Sequence, residues 1–224
     1  MGNLTELLGT VEVFEGLTDK DRQELSQLAL RRSLKKGDVL CRQGDDWPFV
    51  LYISNGALRS IINSPDGRSY VVATWEQDDV FWAHTIFDQD PMPSTLEVVR
   101  STNLYQWEGE KALQIIFRSQ TAMRALLSRQ TKLIRKRRES IYNLAFNQVA
   151  SRLAKLVIEK FENAENPTGQ RDLTLEDMAA MVASSPEVIC RILYQFQAEG
   201  YLKVNRASIT MHNRQALEGL ILHD

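Results

Sequence analysis

The sequence is short of the residues from which reactive and metal-binding centres are built. It has two cysteines, Cys41 and Cys190, and three histidines, His84, His212 and His223. Two cysteines so far apart make no disulfide framework and fit a reduced, cytoplasmic protein. They also fall short of the four thiolates that hold an iron–sulfur cluster. No Ser/His/Asp, Cys/His, metal-ligand or glycine-rich phosphate signature stands out, so neither an enzyme nor a metal site is expected. No apolar run approaches the roughly 20 residues of a membrane span. The opening MGNLTELLGT lacks a basic region followed by an apolar one, so no signal peptide is expected. Positive charge is not in excess either: 27 Lys and Arg stand against 29 Asp and Glu, a net charge of −2. From Arg171 to Asp224 there are five basic residues and seven acidic ones. Nucleic-acid binding, if present, must rest on where the cations lie and not on their number.

What remains is an ordinary globular composition. At 224 residues with 43% hydrophobic, one large domain or two small ones are both possible. Asn3–Val13 and Thr18–Leu30 read as helices, the second capped by Thr18 with Asp21 three residues on. From Leu34 to Glu108 the character changes. Short β-rich runs (Val39–Cys41, Phe49–Ile53, Leu58–Ile62, Tyr70–Trp75, Leu96–Val99) alternate with turns such as Lys36-Gly37-Asp38 and Ser54-Asn55-Gly56. Turns every ten or so residues predict a small antiparallel barrel or sandwich, here called a β-roll. Lys111–Arg118 reads as a short helix and Thr121–Tyr142 as a long one. The long helix places Met123, Leu126, Leu127, Leu133, Ile134 and Ile141 on a seam interrupted by Gln130 and Arg137, the pattern of a dimer-forming helix. Leu144–Asn147 reads as a break, with Asn147 capping a helix over Gln148–Phe161. Glu162–Arg171 is a polar loop.

The most informative stretch is Leu173–Gly200. Thr174 and Asp177 form a capping box, and Met178, Met181 and Val182 make one buried face. Ala183 and Ser184 break the helix, Ser185 caps the next and Pro186 occupies its first position. The second helix buries Val188, Ile189, Ile192, Leu193 and Phe196, and presents Glu187, Cys190, Arg191, Tyr194 and Gln195. Two short helices across a tight turn fit a helix-turn-helix. Tyr201–Val204 and Ser208–Met211 then read as a hairpin, which completes a winged helix. The fold class is α+β. The expected domains are an effector-sensing roll over 1–118, a dimerisation helix and hinge over 119–146, and a winged helix-turn-helix over 147–224.

In this order the motifs resemble the CRP/FNR family of bacterial transcription regulators, over residues 14–212. Lys36-Gly37-Asp38-Val39-Leu40, Gln43-Gly44-Asp45 and Leu51 through Leu58 carry the likeness in the roll. Asp66-Gly67-Arg68 and Asp78-Asp79-Val80-Phe81 continue it. Asn143-Leu144-Ala145-Phe146 matches the hinge, and Ser184 through Leu193 the second helix. The resemblance implies a cytoplasmic homodimer that binds a palindromic double-stranded DNA site under control of a small-molecule effector. Glu187 and Arg191 would read bases, Cys190 would be the small residue between them, and Ser184 and Ser185 would reach phosphate. Pro186 stands where cyclic-AMP members have a base-reading arginine, which implies a different half-site. The loop Glu162–Gln170 corresponds to a surface that meets RNA polymerase.

The resemblance also bears on the effector. The ribose and phosphate anchors of cyclic-AMP members fall on Trp82-Ala83 and Pro93-Ser94, and their base-contacting Thr-Ser pair on Arg137-Arg138. Cyclic AMP in the familiar mode is therefore not expected. His84 lies where the carbon-monoxide-sensing members carry a haem ligand, so haem stands as an alternative cofactor, without the neighbouring cysteine ligand. The other candidate is a small organic molecule or anion held by Trp75, Trp82, Ser94, Arg137 and Arg138, with Tyr70, Trp107 and the rest of the basic run Lys132–Arg138 nearby. A ligand-binding regulatory module that does not touch DNA is the rival from another class.

Overall fold

The computed structural model describes residues 4–161, 168–170, 173–205 and 208–222. The chain divides into two compact units, Met1–Ile62 with Val72–Lys136, and Asn63–Val71 with Arg137–Asp224.

The first unit opens with α1 (Leu4–Leu8), α2 (Glu12–Glu15) and α3 (Asp19–Leu28). The single helix expected over Asn3–Val13 is thus two short ones, and Asn3 lies outside the described residues. Thr18 caps α3 as expected, its hydroxyl accepting from the Asp21 N–H at 3.2 Å. Helix α3 stops before Leu30, because β1 (Leu30–Leu34) pairs antiparallel with β6 (Thr95–Glu108), Leu30 opposite Gln106. The sheet contains β1-β6-β3-β4 in that order, with β3 (Phe49–Asn63) and β4 (Ser69–Glu76). The short β2 (Val39–Cys41) pairs with β6, and β5 (Val80–Trp82) with β3.

Strand β3 shows why the roll has two cores. Successive side chains on a strand point to opposite faces. Val50 and Tyr52 join Phe14, Leu25, Trp82 and Trp107 in a core against the helices. Leu51, Ile53 and Leu58 join Trp47, Trp75, Phe81 and Leu96 in a second one, the roll interior. Both faces of the strand are buried, so its sequence reads as a near-continuous apolar run. Gly56 bends it: φ is +105°, and a Cβ there would sit 2.6 Å from the Thr102 Cα. Only glycine is comfortable there.

The chain continues through α4 (Thr85–Asp88), α5 (Gly109–Ile116) and α6 (Gln120–Phe146). The break expected at Leu144 does not occur, and the 27 residues of α6 form one helix. It contains neither glycine nor proline, so nothing interrupts the i→i−4 ladder.

In the second unit α7 (Val149–Phe161), α8 (Leu175–Met181) and α9 (Pro186–Ala198) pack around Leu153, Val157, Phe161, Met178, Ile189 and Phe196. Helix α7 begins at Val149, one residue later than expected, and the Asn147 side-chain amide is engaged with Asn143 Oδ1 at 3.1 Å. The hairpin of β8 (Leu202–Val204) and β9 (Ser208–Met211) is present, and its outer edge gains β7 (Thr168–Gln170). Helix α10 (Arg214–Leu222) closes the unit, a further element that sequence reading did not foresee.

Candidate nucleic-acid interface and effector region

Helices α8 and α9 are each fixed at their starts by side chains. Thr174 Oγ1 accepts from the Asp177 N–H at 3.0 Å, and the Asp177 carboxylate accepts from the Thr174 N–H at 3.1 Å. This is the expected capping box. At the end of α8, Ala183 turns left-handed with φ 52°. The Ser184 N–H then reaches back to the Ala179 carbonyl at 2.9 Å, the closure of a Schellman motif. Ser185 caps α9 by accepting from the Val188 N–H at 3.4 Å, with Pro186 at the first position. The turn is thus held on both sides, and the direction in which α9 projects is set by backbone hydrogen bonds.

One face of α9 is core: Ile189, Ile192, Leu193 and Phe196 are buried. The opposite face holds the residues picked out from sequence. Glu187, Arg191 and Tyr194 are exposed, whereas Pro186 and Cys190 are half-buried. Hydrogen bonding from Ser185, together with the backbone at the helix start, holds the Glu187 carboxyl below its ordinary pKa. A negative charge is favoured at that end of a helix. Ser184 and Ser185, both half-buried, lie at the turn that leads into it.

Sequence reading missed Arg152. It lies within the apolar run of α7, and its only signal is a cation among core residues. Its Nε donates to the Val182 carbonyl at 3.0 Å and its Nη1 to the Asn147 carbonyl. One guanidinium therefore ties the residue after α6 to the turn before α9. On α6 itself, Leu127, Ile134 and Ile141, spaced by seven, are 61%, 69% and 65% exposed. They form an apolar stripe along one side of a long helix.

The chain thus runs from a β-roll through a long helix to a winged helix-turn-helix. A cyclic nucleotide-binding domain matches residues 31–119, and a Crp-like helix-turn-helix domain matches residues 147–220. The chain belongs to the CRP/FNR family of transcription regulators. A CRP-like cAMP-activated global transcriptional regulator of Mycobacterium tuberculosis is 20% identical over 219 residues, 96% of this chain and 98% of its own. A structure assigned to the crp/fnr family, from Eubacterium rectale, shares the fold with a TM-score of 0.82 at 23% identity, covering 93% of this chain and 97% of that one. The c-di-GMP responsive global regulator CLP of Xanthomonas campestris gives a TM-score of 0.75 at 18% identity, over 87% and 99%. CRP/FNR regulators are not enzymes, and among the described residues no helix is long and apolar enough to cross a membrane.

Within this CRP/FNR chain the expected tryptophans divide between two cores. Trp75 faces the roll interior, edge-on to Phe81 with ring centroids 4.8 Å apart. Trp82 and Trp107 lie in the other core, so the three indoles do not wall one pocket. The reason is the alternation of β5, which sends Phe81 inward and Trp82 outward. Ala83 is fully buried, and Ser94 is buried with its hydroxyl 2.5 Å from that of Ser60. His84 is exposed at the start of α4. An exposed imidazole beside a filled interior does not fit a haem buried in the roll. Arg137 is half-buried, its pKa pushed down by burial, and Arg138 is exposed. Most of the RNA-polymerase loop expected at Glu162–Gln170 lies outside the described residues. Its last three form β7.

Proposed function

We propose that this regulator acts in the cytoplasm as a homodimer that reads a palindromic DNA site, with its affinity set by a small effector at the roll. The outward pair Glu187 and Arg191 carries the reading. Four residues apart at the start of a capped helix, they match the donors and acceptors of a G·C pair. A carboxylate accepts from cytosine N4, and a guanidinium forks onto guanine O6 and N7, each good pair contributing about 1–3 kcal/mol of discrimination. Ser184 and Ser185 reach phosphate, and the small Cys190 lets the helix approach. The domains proposed are a sensing roll over 1–118, a dimerisation helix and hinge over 119–146, and a winged helix-turn-helix over 147–224. The stripe Leu127, Ile134 and Ile141 supports two-fold pairing through α6, and a symmetric pair of reading helices suits a palindrome. Pairing also offsets the acidic balance of the C-terminal region, since linked half-sites raise avidity without new contacts. RNA polymerase is the partner proposed for the Glu162–Gln170 surface.

The effector is a small molecule other than cyclic AMP bound in the familiar mode. Ala83 stands in place of the ribose-binding carboxylate and Pro93 in place of the phosphate-binding arginine, so neither anchor is supplied. The names of two relatives cite two different effectors, which fits a fold whose roll accepts changing ligands. Mass spectrometry of the native dimer would identify what co-purifies.

The test of the DNA reading is Glu187→Ala with Arg191→Ala. Loss of binding to a selected palindrome, with circular dichroism and sedimentation unchanged, supports it. Unchanged DNA binding would overturn it in favour of a regulatory module that does not touch DNA.

A further inference from the structure

The outward face of α9 carries two rows of side chains. Glu187 and Arg191 form a charged row. Pro186, Cys190 and Tyr194, also four apart, form a second row one residue to its side. The second row is not ordinary helix surface. With Leu175 at the start of α8, it lines an open depression of about 660 Å³ whose polar edge is Glu187 and Arg191. Its floor is a pyrrolidine ring, a thiol, a leucine and the side of a phenol. Proline has no side-chain hydrogen-bonding group, and a thiol is a weak donor that behaves as a small hydrophobe. The floor therefore discriminates by apolar contact.

On the major-groove edges of the four bases, the apolar group is the C5-methyl of thymine. We propose that Pro186, Cys190 and Tyr194, with Leu175, form a second specificity element that receives thymine methyl groups beside the base pair read by Glu187 and Arg191. The inference rests on the DNA-reading function proposed above and names what the rest of that surface reads. It also accounts for Pro186. A ring that cannot hydrogen-bond a base edge exchanges polar readout at that position for methyl contact. DNA suits the surface better than a protein partner, because it lies on the outward face of the second helix of a Crp-like helix-turn-helix, the element that enters a major groove.

The experiment uses the full-length protein and duplexes it selects from a random pool at low salt, where phosphate contacts support binding most. Each thymine of the selected half-site is replaced singly by deoxyuridine, which keeps base pairing and removes the methyl alone. One or two positions should lose about fourfold in affinity, the worth of one buried methyl, and the others should be unaffected. Cytosine at a sensitive position should bind weakly, and 5-methylcytosine should recover part of the loss. In the Pro186→Ser, Cys190→Ser protein the thymine-to-uracil ratio should fall to about one, while the G·C preference set by Glu187 and Arg191 persists. Equal binding of thymine and uracil duplexes at every position would overturn the inference, as would a ratio that survives in the double variant. If Glu187→Ala still alters base preference in either case, the DNA reading stands without the methyl element. If the charged-row substitutions are also silent, the DNA reading itself falls. The uracil scan uses the unaltered protein, so a poorly folded variant does not remove the test.

Discussion

Several polar side chains of the roll find their partners inside the fold, whereas those of the winged helix-turn-helix are held outward at helix starts. In the roll, Ser60 meets Ser94, the Tyr52 hydroxyl donates to Asp78 at 2.7 Å, and the Trp107 indole donates to the Leu25 carbonyl at 2.8 Å. Burial and the Asp78 carboxylate together push the Tyr52 phenol pKa well up. In the second unit the caps Thr174 and Ser185 spend their hydroxyls on backbone N–H groups and leave Glu187 and Arg191 to solvent. These groups of the roll are satisfied within the fold; the reading helix is left to be satisfied by a partner. Buried polar groups must find partners within the fold, so a closed interior holds its groups in place, while a presented face is free to differ between relatives.

This contrast can be broken from either side. All four tryptophans, at positions 47, 75, 82 and 107, lie before α6, so indole fluorescence reports the roll alone. The largest effect is expected for Trp107→Ala, which empties a site 1% exposed and leaves the Leu25 carbonyl without its donor. It should cost the roll about 3–5 kcal/mol, seen as a lower urea midpoint by fluorescence. Next is Arg152→Gln, which withdraws a charged donor from two carbonyls. A loss of about 2–3 kcal/mol is expected, read by circular dichroism as earlier melting of the C-terminal helices. DNA affinity should fall with it, because the turn before α9 loses its tie. Ala183→Gly should stabilise by about 1 kcal/mol, since the left-handed position carries a Cβ for no gain. A thermal midpoint that does not rise would show that Ala183 has other contacts to lose.

The smallest effect concerns pH. Arg118 donates to Asp21 Oδ1 at 3.1 Å and to Glu24 Oε1 at 3.0 Å. The Thr18 hydroxyl, then Arg118, lowers the Asp21 pKa, and Arg118 lowers that of Glu24. Depressed carboxylates stabilise the fold fully above their unfolded values, about pH 4, and this contribution is lost as pH falls through the folded ones. Acid titration of the roll should therefore show a destabilisation that Arg118→Met reduces, the Thr18 hydrogen bond to Asp21 remaining, and salt should weaken the Arg118 contribution at neutral pH.

Much of the reading helix was legible from sequence because its logic is local. Caps, proline at the first position and the spacing of apolar residues act within one or two turns. They placed Thr174, Ser185 and Pro186 correctly and separated the buried face of α9 from Glu187 and Arg191. The roll was legible as alternating strands and turns, but its interior was not. Which face Trp82 occupies depends on the register of β5 against β3, Leu51 opposite Phe81, and no local pattern encodes that. Leu30 was read as helix because its pairing partner, Gln106, is remote in sequence. Arg152 escaped for the same reason: its acceptors are carbonyls, which carry no sequence signal.

The two thiols differ in a way that can be used at the bench. Cys41 is 3% exposed, and burial pushes its pKa up to about 11, so maleimides and oxidants reach it poorly. Cys190 is half-buried on the reading helix. The unaltered protein therefore offers one chemical handle at the surface proposed to meet DNA. A dye or spin label attached there would report occupancy of the groove, or block it by its bulk, without mutagenesis.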